Sequence, residues 1–494
     1  MRIAGLDVGT TGCKISVFSL EGECLFVAYR EYEKYKGGEG REFWADDLYG
    51  SVLAVIREAV ANVGSPDAIG ITSFGESFAA LDAEDKVVFP SLLYTDPRGG
   101  EECEALKAAL GEEEIIAHTG ISPHSMYSLP KIMYLARKYP EKFQSVKRIL
   151  LMQDFLTYRL CGVAQIDYSL ASRTMALDVR NRCWYAPILE AAGVDAGLLS
   201  KPVPSGTVAG AVLPAVADAT GLSAKTVIVT GAQDQIAAAL GASIFAPGEA
   251  VDGCGTVECI TPVFDQPFAG VTLEKAGFPL VPFAVEGCYA TYALSYTGGA
   301  SLKWFRDQLA LWEKQKAAEE GKNVYAILDA SIPDKPTDLL VMPHFGGAAT
   351  PHMDPYSKAA ILGITLETTR EEIYRALMEG SAYEMQVSMA HLEEEGIHIK
   401  HLCATGGGAS PAWLQIKADV WNRPVSVLDG TEAGAAGTCM LVGVALGLYP
   451  SLAEAAKVFV RPGKTYYPIP ENAAFYATQF EKYRRMYDAI RPLV

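Results

Sequence analysis

The chain has ten cysteines and seven histidines, but no Cys-x-x-Cys pair and no histidine beside a cysteine at metal-ligand spacing. No zinc site is therefore expected, and the thiols are expected to be free, as in a reducing cytoplasm. No apolar run reaches the length that crosses a bilayer. The opening MRIAGLDVGTTG has one basic residue and no apolar stretch of signal-peptide length, so no secretory leader and a cytoplasmic location are expected. Positive charge is in deficit: 42 Lys and Arg stand against 59 Asp and Glu, a net charge of −17. Nucleic acid and anionic membrane are thus not expected as partners, although a local site can still hold an anionic nucleotide. No segment is low-complexity, and the most polar helical stretch, Asp307 to Asn323, reads as a solvated helix.

What is present is globular. Half of the 494 residues are hydrophobic and one fifth are charged, and the length exceeds what one core supports. Strand-like runs alternate with helical ones, which reads as α/β. TREEIYRALMEGSAYEMQVSMAHLEE is expected to be one long helix, opened by a capping box of Thr369 and Glu372.

The stretch GLDVGTTGCKISVF, Gly5 to Phe18, sets an aspartate, two glycines, two threonines and a lysine around one turn between two strands. A plain hairpin turn needs only Asn-Gly or Asp-Gly. Lys14 lies outside any P-loop frame, and CKISVF alternates like a strand, so no dinucleotide fingerprint is formed. The candidate is a hairpin whose turn binds an anion through backbone N–H groups and hydroxyls; an ordinary Gly-rich hairpin is the alternative. The same grammar returns at AVDGCGTVECITPVF, Ala250 to Phe264. Two such turns suggest a duplicated α/β architecture with a cleft between the halves, where a polyphosphate is clamped from both sides.

Two further stretches carry chemistry. In VIVTGAQDQIAAALGAS a buried strand is expected to end in Gly231, and Asp234 stands at the mouth of an Ala-rich helix. It is either a helix N-cap or a general base at the carboxyl end of a strand. In LCATGGGASPAWLQIKADVWNRPV three glycines precede a helix opened by Ser410 and Pro411. They permit close approach of a flat ligand, or of phosphate at the helix N-terminus.

These motifs resemble the FGGY carbohydrate kinases, within the actin/sugar-kinase/heat-shock ATPase superfamily. The resemblance runs end to end. It includes DYSLASRTMALDVRNRCW, YTGGASLKWFRD, GGAATPHMDP and, in part, MYSLPKIMYL. It implies two ribonuclease H-like (actin-like ATPase) α/β domains, 1–243 and 244–494, with the catalytic cleft between them. The last helical stretch, ENAAFYATQFEKYRRMYDAIRPL, is expected to pack back on the first domain.

The resemblance also implies ATP and Mg²⁺ and phosphorylation of a sugar or polyol hydroxyl. Asp234 would accept the substrate proton and Asp7 would hold Mg²⁺. Thr10, Thr11, Lys14, Gly255, Thr256 and Gly299 would lie at the phosphates. Gly406, Gly407 and Ser410 would bound the adenosine site. Glu76, Asp96, Arg98 and Met126, with Asp234, would face the acceptor. Where xylulose kinases carry Met-His-Gly, this chain has Gly75-Glu76-Ser77; Glu76 is shared with glycerol kinases, whose preceding arginine is missing. The expected acceptor is a ketose such as xylulose or a related pentulose. Glycerol, an alditol or a sugar acid is the alternative, as is a non-catalytic actin-like ATPase or sugar sensor. The oligomeric state, with a homodimer as one option, stays open.

Overall fold

In the computed structural model, which describes residues 1–32, 41–430 and 432–494, Gly5 to Phe18 is a hairpin. Strand β1 (Arg2–Val8) pairs antiparallel with β2 (Gly12–Ser19), and the register sets Asp7 opposite Lys14. The sheet continues through β3 (Cys24–Glu31) on one side. On the other come β4 (Ala68–Ser73), β5 (Val208–Ala211) and β6 (Val227–Gln233), in the order β5-β6-β4-β1-β2-β3. β1, β4 and β6 run parallel, and β4 is buried along its whole length. That is why AIGITS reads as a continuous run and not as an alternation.

The second hairpin joins β7 (Glu249–Cys254) to β8 (Glu258–Phe264). β7 runs parallel to β9 (His401–Thr405), followed by β10 (Val425–Leu428) and β11 (Pro462–Tyr466), within an eight-stranded sheet. Each sheet thus opens on an antiparallel hairpin and continues with a parallel strand beside it. This is the repeated grammar of the sequence made structural.

Helices cover the sheets. α1 (Ala45–Val63) buries Val52, Val55 and Ile56 against one face of the first sheet. α2 (Ser128–Lys138) opens at a serine bonded to the Glu76 carbonyl, α3 (Asp234–Gly241) follows β6, and α4 (Gly298–Gln308) follows the second hairpin. α5 (Arg370–Glu394) is the expected long helix, and Thr369 and Glu372 form its capping box in both directions. α6 (Pro411–Trp421) is capped by Ser410, whose side chain accepts from Trp413 N–H.

The other face of the first sheet is covered by a segment from far along the chain. α7 (Ala433–Ala445) sets Ala435, Ala436 and Cys439 against Ile3, Ala68 and Val229. Its contact with α3 is backbone-close. A methyl group at Gly241 would overlap the Ala433 carbonyl oxygen, and one at Gly437 would overlap that of Ala237. Only glycine fits at this crossing.

The expectation for the last helical stretch is corrected. α8 (Pro470–Tyr483) and α9 (Met486–Ile490) pack on the second half of the chain. Tyr476 donates to Glu379 at 2.7 Å and Tyr483 to Glu384 at 2.6 Å, so the hydroxyls of α8 satisfy buried carboxylates of α5. Those phenols have no such partners on the first sheet, where α7 already occupies the open face. Among the described residues all ten cysteines are free, and no helix is long and apolar enough to cross a membrane.

Candidate active site

Asp234 is the first residue of α3 and Gln233 is the N-cap, its side chain accepting from Gln235 N–H at 3.0 Å. The capping role weighed for Asp234 thus belongs to its neighbour. The Gln233 amide also donates to Asp234 Oδ1, which accepts from Gln235 N–H at 2.7 Å as well. Tyr292 donates to Gln233 Oε1 at 2.9 Å, so the glutamine that orients Asp234 is itself held. Burial is the main cause that pushes the Asp234 carboxyl up to about 7, and Asp7 and Glu76 add to the rise. A carboxyl poised near neutrality suits a general base.

Glu76 is buried, at φ +66°. Its Oε1 accepts from Arg173 Nε at 2.6 Å and lies 2.5 Å from a terminal guanidinium nitrogen of the same arginine. No donor among the described residues is bonded to Oε2. The Arg173 stem presses on Gly75, where a Cβ would lie 3.0 Å from Arg173 Cγ. The guanidinium sits over the rings of Tyr127 at 5.0 Å and Tyr292 at 5.8 Å. Ser128, which opens α2, donates to the Glu76 carbonyl at 2.7 Å. Arg173, Tyr127, Tyr292 and Gln233 were not singled out from sequence. Arg173 stood inside a recognised block, set in the run Ala-Ser-Arg-Thr-Met apart from the block's other two arginines, Arg180 and Arg182, and that was the available signal.

Asp96 and Arg98 bind each other. Arg98 donates to Oδ1 at 2.8 Å and Oδ2 at 2.6 Å, and it reaches Glu42 at 3.0 Å. Lys131 is fully buried and donates to the Asp96 carbonyl at 2.6 Å. Desolvation draws its ammonium down to about 8, against the pull of Asp96. Met126 is half-buried against the apolar core that includes Tyr127 and Leu129, its N–H bonded to His124 Nδ1 at 3.1 Å.

At the first hairpin, Gly9 N–H bonds the Gly12 carbonyl at 2.9 Å and closes the turn that carries Thr10 and Thr11. Thr11 is exposed. Lys14 pairs with Glu432, just before α7, at 2.5 Å. Burial raises the Asp7 carboxyl above its ordinary range, Lys14 opposes that rise and Glu432 adds to it. Among the described residues no group of three His, Cys, Asp or Glu forms a ready-made metal cage.

The second hairpin opens on a cavity of about 820 Å³, which reaches Gly255, Thr256, Gly299, Gly407 and Ser410. Gly299 N–H bonds the Gly255 carbonyl at 2.9 Å and Ala300 N–H that of Thr256 at 3.0 Å, so the N-terminus of α4 is docked on the turn. Gly406 is not part of the cavity wall. Its φ is +94°, and a Cβ there would stand 2.7 Å from the Cys254 carbonyl oxygen. Gly408, the third glycine of the run, does line the cavity and donates to that same oxygen at 2.9 Å. Trp413 forms another part of the wall.

Comparison with known proteins matches residues 2–241 to the N-terminal domain of the FGGY family of carbohydrate kinases, and residues 254–446 to its C-terminal domain. The chain is 27% identical to a xylulose kinase of Bacillus subtilis, over 99% of this chain and 97% of that protein. It is 26% identical to an autoinducer-2 kinase of Salmonella choleraesuis, over 100% and 95%. Among solved structures, a xylulose kinase from Rhodospirillum rubrum superposes with a TM-score of 0.90 at 26% identity, covering 100% of this chain and 99% of that one. With two α/β sheets of the actin-like ATPase kind and both domain models matched in order, the chain belongs to the FGGY family of carbohydrate kinases.

Proposed function

We propose that this carbohydrate kinase transfers the γ-phosphoryl group of ATP to a hydroxyl of a neutral ketose, such as xylulose or a related pentulose, with Asp234 as the general base. The observation that carries the reading is the joint placement of Asp234 and Glu76. One is a carboxyl poised near neutrality. The other is a fixed carboxylate with one oxygen free to accept a hydroxyl hydrogen.

The state of the nearby cations supports a neutral acceptor over a sugar acid. Arg173 is committed to Glu76, Arg98 to Asp96 and Glu42, and Lys131 to backbone carbonyls. A sugar carboxylate would enter beside Glu76 and Asp234, where each guanidinium already carries a carboxylate; the buried Nη1 of Arg173, which has no partner among the described residues, is left to donate to a neutral hydroxyl or carbonyl.

On the nucleotide side, Gly255, Thr256 and Gly299 would contact phosphates from one hairpin, and Thr10 and Thr11 from the other. The cavity beside Gly407 and Ser410 would take the adenosine, with Gly406 shaping the loop. The two functional halves would meet near residue 243.

Asp7 fits a role at Mg²⁺. It is a carboxylate whose charge is disfavoured by burial and by Glu432 and favoured by Lys14, so a cation is welcome there. Mg²⁺ keeps several waters and takes its remaining ligands from phosphates, so no protein cage is required. When bound, Mg²⁺ supplies charge neutralisation at the polyphosphate. Lys14 would share that work or only hold Glu432.

The test is coupled ADP release from ATP with a panel of ketoses, alditols and sugar acids. Turnover with one ketose at least tenfold above every alditol and sugar acid is expected, by about 1.4 kcal/mol per decade. Preference for a sugar acid would overturn the neutral-acceptor reading; ATP hydrolysis unaffected by every acceptor would favour an actin-like ATPase, and no ADP release with any acceptor a sugar sensor.

A further inference from the structure

Lys417 is completely buried in α6, and the phosphoryl-transfer reading makes no use of it. Its ammonium donates to Asp252 Oδ2 at 2.6 Å and to Cys254 Sγ at 3.0 Å, and it stands 2.8 Å from Glu258 Oε1. The rings of Trp413 and Trp421 lie 4.7 and 5.3 Å from it. Asp252 and Cys254 belong to β7. Glu258 opens β8 directly across from Cys254, and the exposed turn Gly255-Thr256-Val257 lies between. One ammonium thus fastens both strands of the second hairpin, right at its turn, to the helix whose first turn walls the cavity. Cys254 reaches that same cavity.

The charges in this cluster do not balance. Two carboxylates face one ammonium, and all three side chains have no solvent exposure. Asp252 Oδ1 has no hydrogen bond, and neither does either oxygen of Glu258, whose contact with Lys417 is close but poorly directed. The other elements against Glu258 contribute Ser295, its cross-strand partner, and Gly298 of α4, and neither titrates. Lys417, Asp252 and Cys254 are the titratable groups that face it, and the buried thiol of Cys259, next along β8, also feels its charge. A surplus carboxylate in an interior takes up a proton more readily than it stays charged. Burial raises the Glu258 carboxyl, Lys417 opposes this and Asp252 adds to it.

We propose that Lys417 and Glu258 are positioning residues for the nucleotide. Lys417 holds the polyphosphate-binding turn in shape, and a proton kept on Glu258 prevents a net negative charge beneath that turn. The proposal rests on the nucleotide reading of the cavity. Loss of the Glu258 proton at alkaline pH leaves one uncompensated charge in a low-dielectric interior beside the turn, so nucleotide affinity falls while the acceptor side is unaffected.

The test is calorimetric titration of the intact enzyme with ADP from about pH 6 to about pH 9, wild type against Glu258→Gln, which imitates the protonated form. The wild-type Kd should rise by about tenfold more over that range than the variant's. Any titration of ADP itself is common to both. The wild type alone gives a second reading: at about pH 8, ADP binding should take up protons, seen as a dependence of the binding enthalpy on buffer ionisation enthalpy. Lys417→Arg and Lys417→Met should weaken ADP binding while the acceptor KM moves by less than about twofold. Parallel Kd curves, no proton uptake by the wild type, or equal losses on both substrates would overturn the proposal and leave the nucleotide site standing. Failure of ADP to bind at any pH would overturn both.

Discussion

Glu76 and Arg173 meet on one carboxylate oxygen. Both guanidinium contacts, at 2.6 and 2.5 Å, fall on Oε1, and Oε2 keeps its lone pairs for something else. The pair joins residues 97 positions apart, and it fixes a side chain whose own backbone lies in the left-handed region. If Glu76 faces the acceptor, as proposed, that side of the site is organised before any sugar arrives.

Glu76→Gln should lower kcat/KM for the true acceptor by one to two decades, since hydrogen bonds to a charged group contribute about 1.5–3 kcal/mol. The KM for ATP should barely change. The ranking among ketoses and alditols should shift as well. The measurement is kcat/KM for several sugars at saturating ATP. A uniform small loss over all sugars would show that Glu76 only anchors Arg173.

Asp234→Ala should reduce sugar phosphorylation by about 10²–10⁴-fold and leave ADP binding close to normal. In the wild type, kcat/KM for ATP should fall as pH drops through about 7, because protonation removes the base. A pH profile flat from about 8 down to about 5 would be incompatible with Asp234 as the proton acceptor.

Asp7→Asn should raise the Mg²⁺ concentration needed for half-maximal activity, with little change in Tm, since the side chain is nearly isosteric. It should also move the acid limb of the rate profile to lower pH, because Asp7 is one of the charges that raise Asp234. An unaltered Mg²⁺ dependence would reduce Asp7 to a residue of the turn.

Gly406→Ala and Gly407→Ala separate structure from binding in adjacent residues. The first places a Cβ 2.7 Å from the Cys254 carbonyl at φ +94°, and should cost about 1–3 kcal/mol of stability. The second meets nothing within 4 Å, so its Tm should match the wild type while its KM for ATP rises. Equal thermal melts for the two would show that the loop relaxes around a Cβ.

The sequence carried the hairpins, the helix caps and the α/β alternation, because these are local. Thr369 with Glu372, Ser410 with Pro411, and Gly9 to Gly12 each act within a few positions of one another. Arg173, Tyr292 and Lys417 were opaque because their roles come from partners far away in the chain: Glu76, Gln233, and Asp252 with Glu258. Gly406 and Gly407 show a different limit. Three consecutive glycines announce a close approach, but only φ and the neighbouring carbonyl reveal which one shapes the loop and which one faces the cavity. For α8 the sequence suggested a helix packed on the first domain; its actual direction comes from buried carboxylates on α5.

The placement of α7 has a consequence for synthesis. Ile3, Ala68 and Val229 emerge early from the ribosome, yet the residues that cover them lie at 433–445. For most of translation the nascent first half carries an apolar sheet face with no cover, and the helix bearing Asp234 lacks the neighbour on which Gly241 rests. Contacts of such long range close late, and the exposed face is open to other chains in the meantime. The sheet that holds Asp7 is thus completed only by a helix at 433–445, and a fragment ending near residue 243 would be a sticky intermediate, not a stable unit.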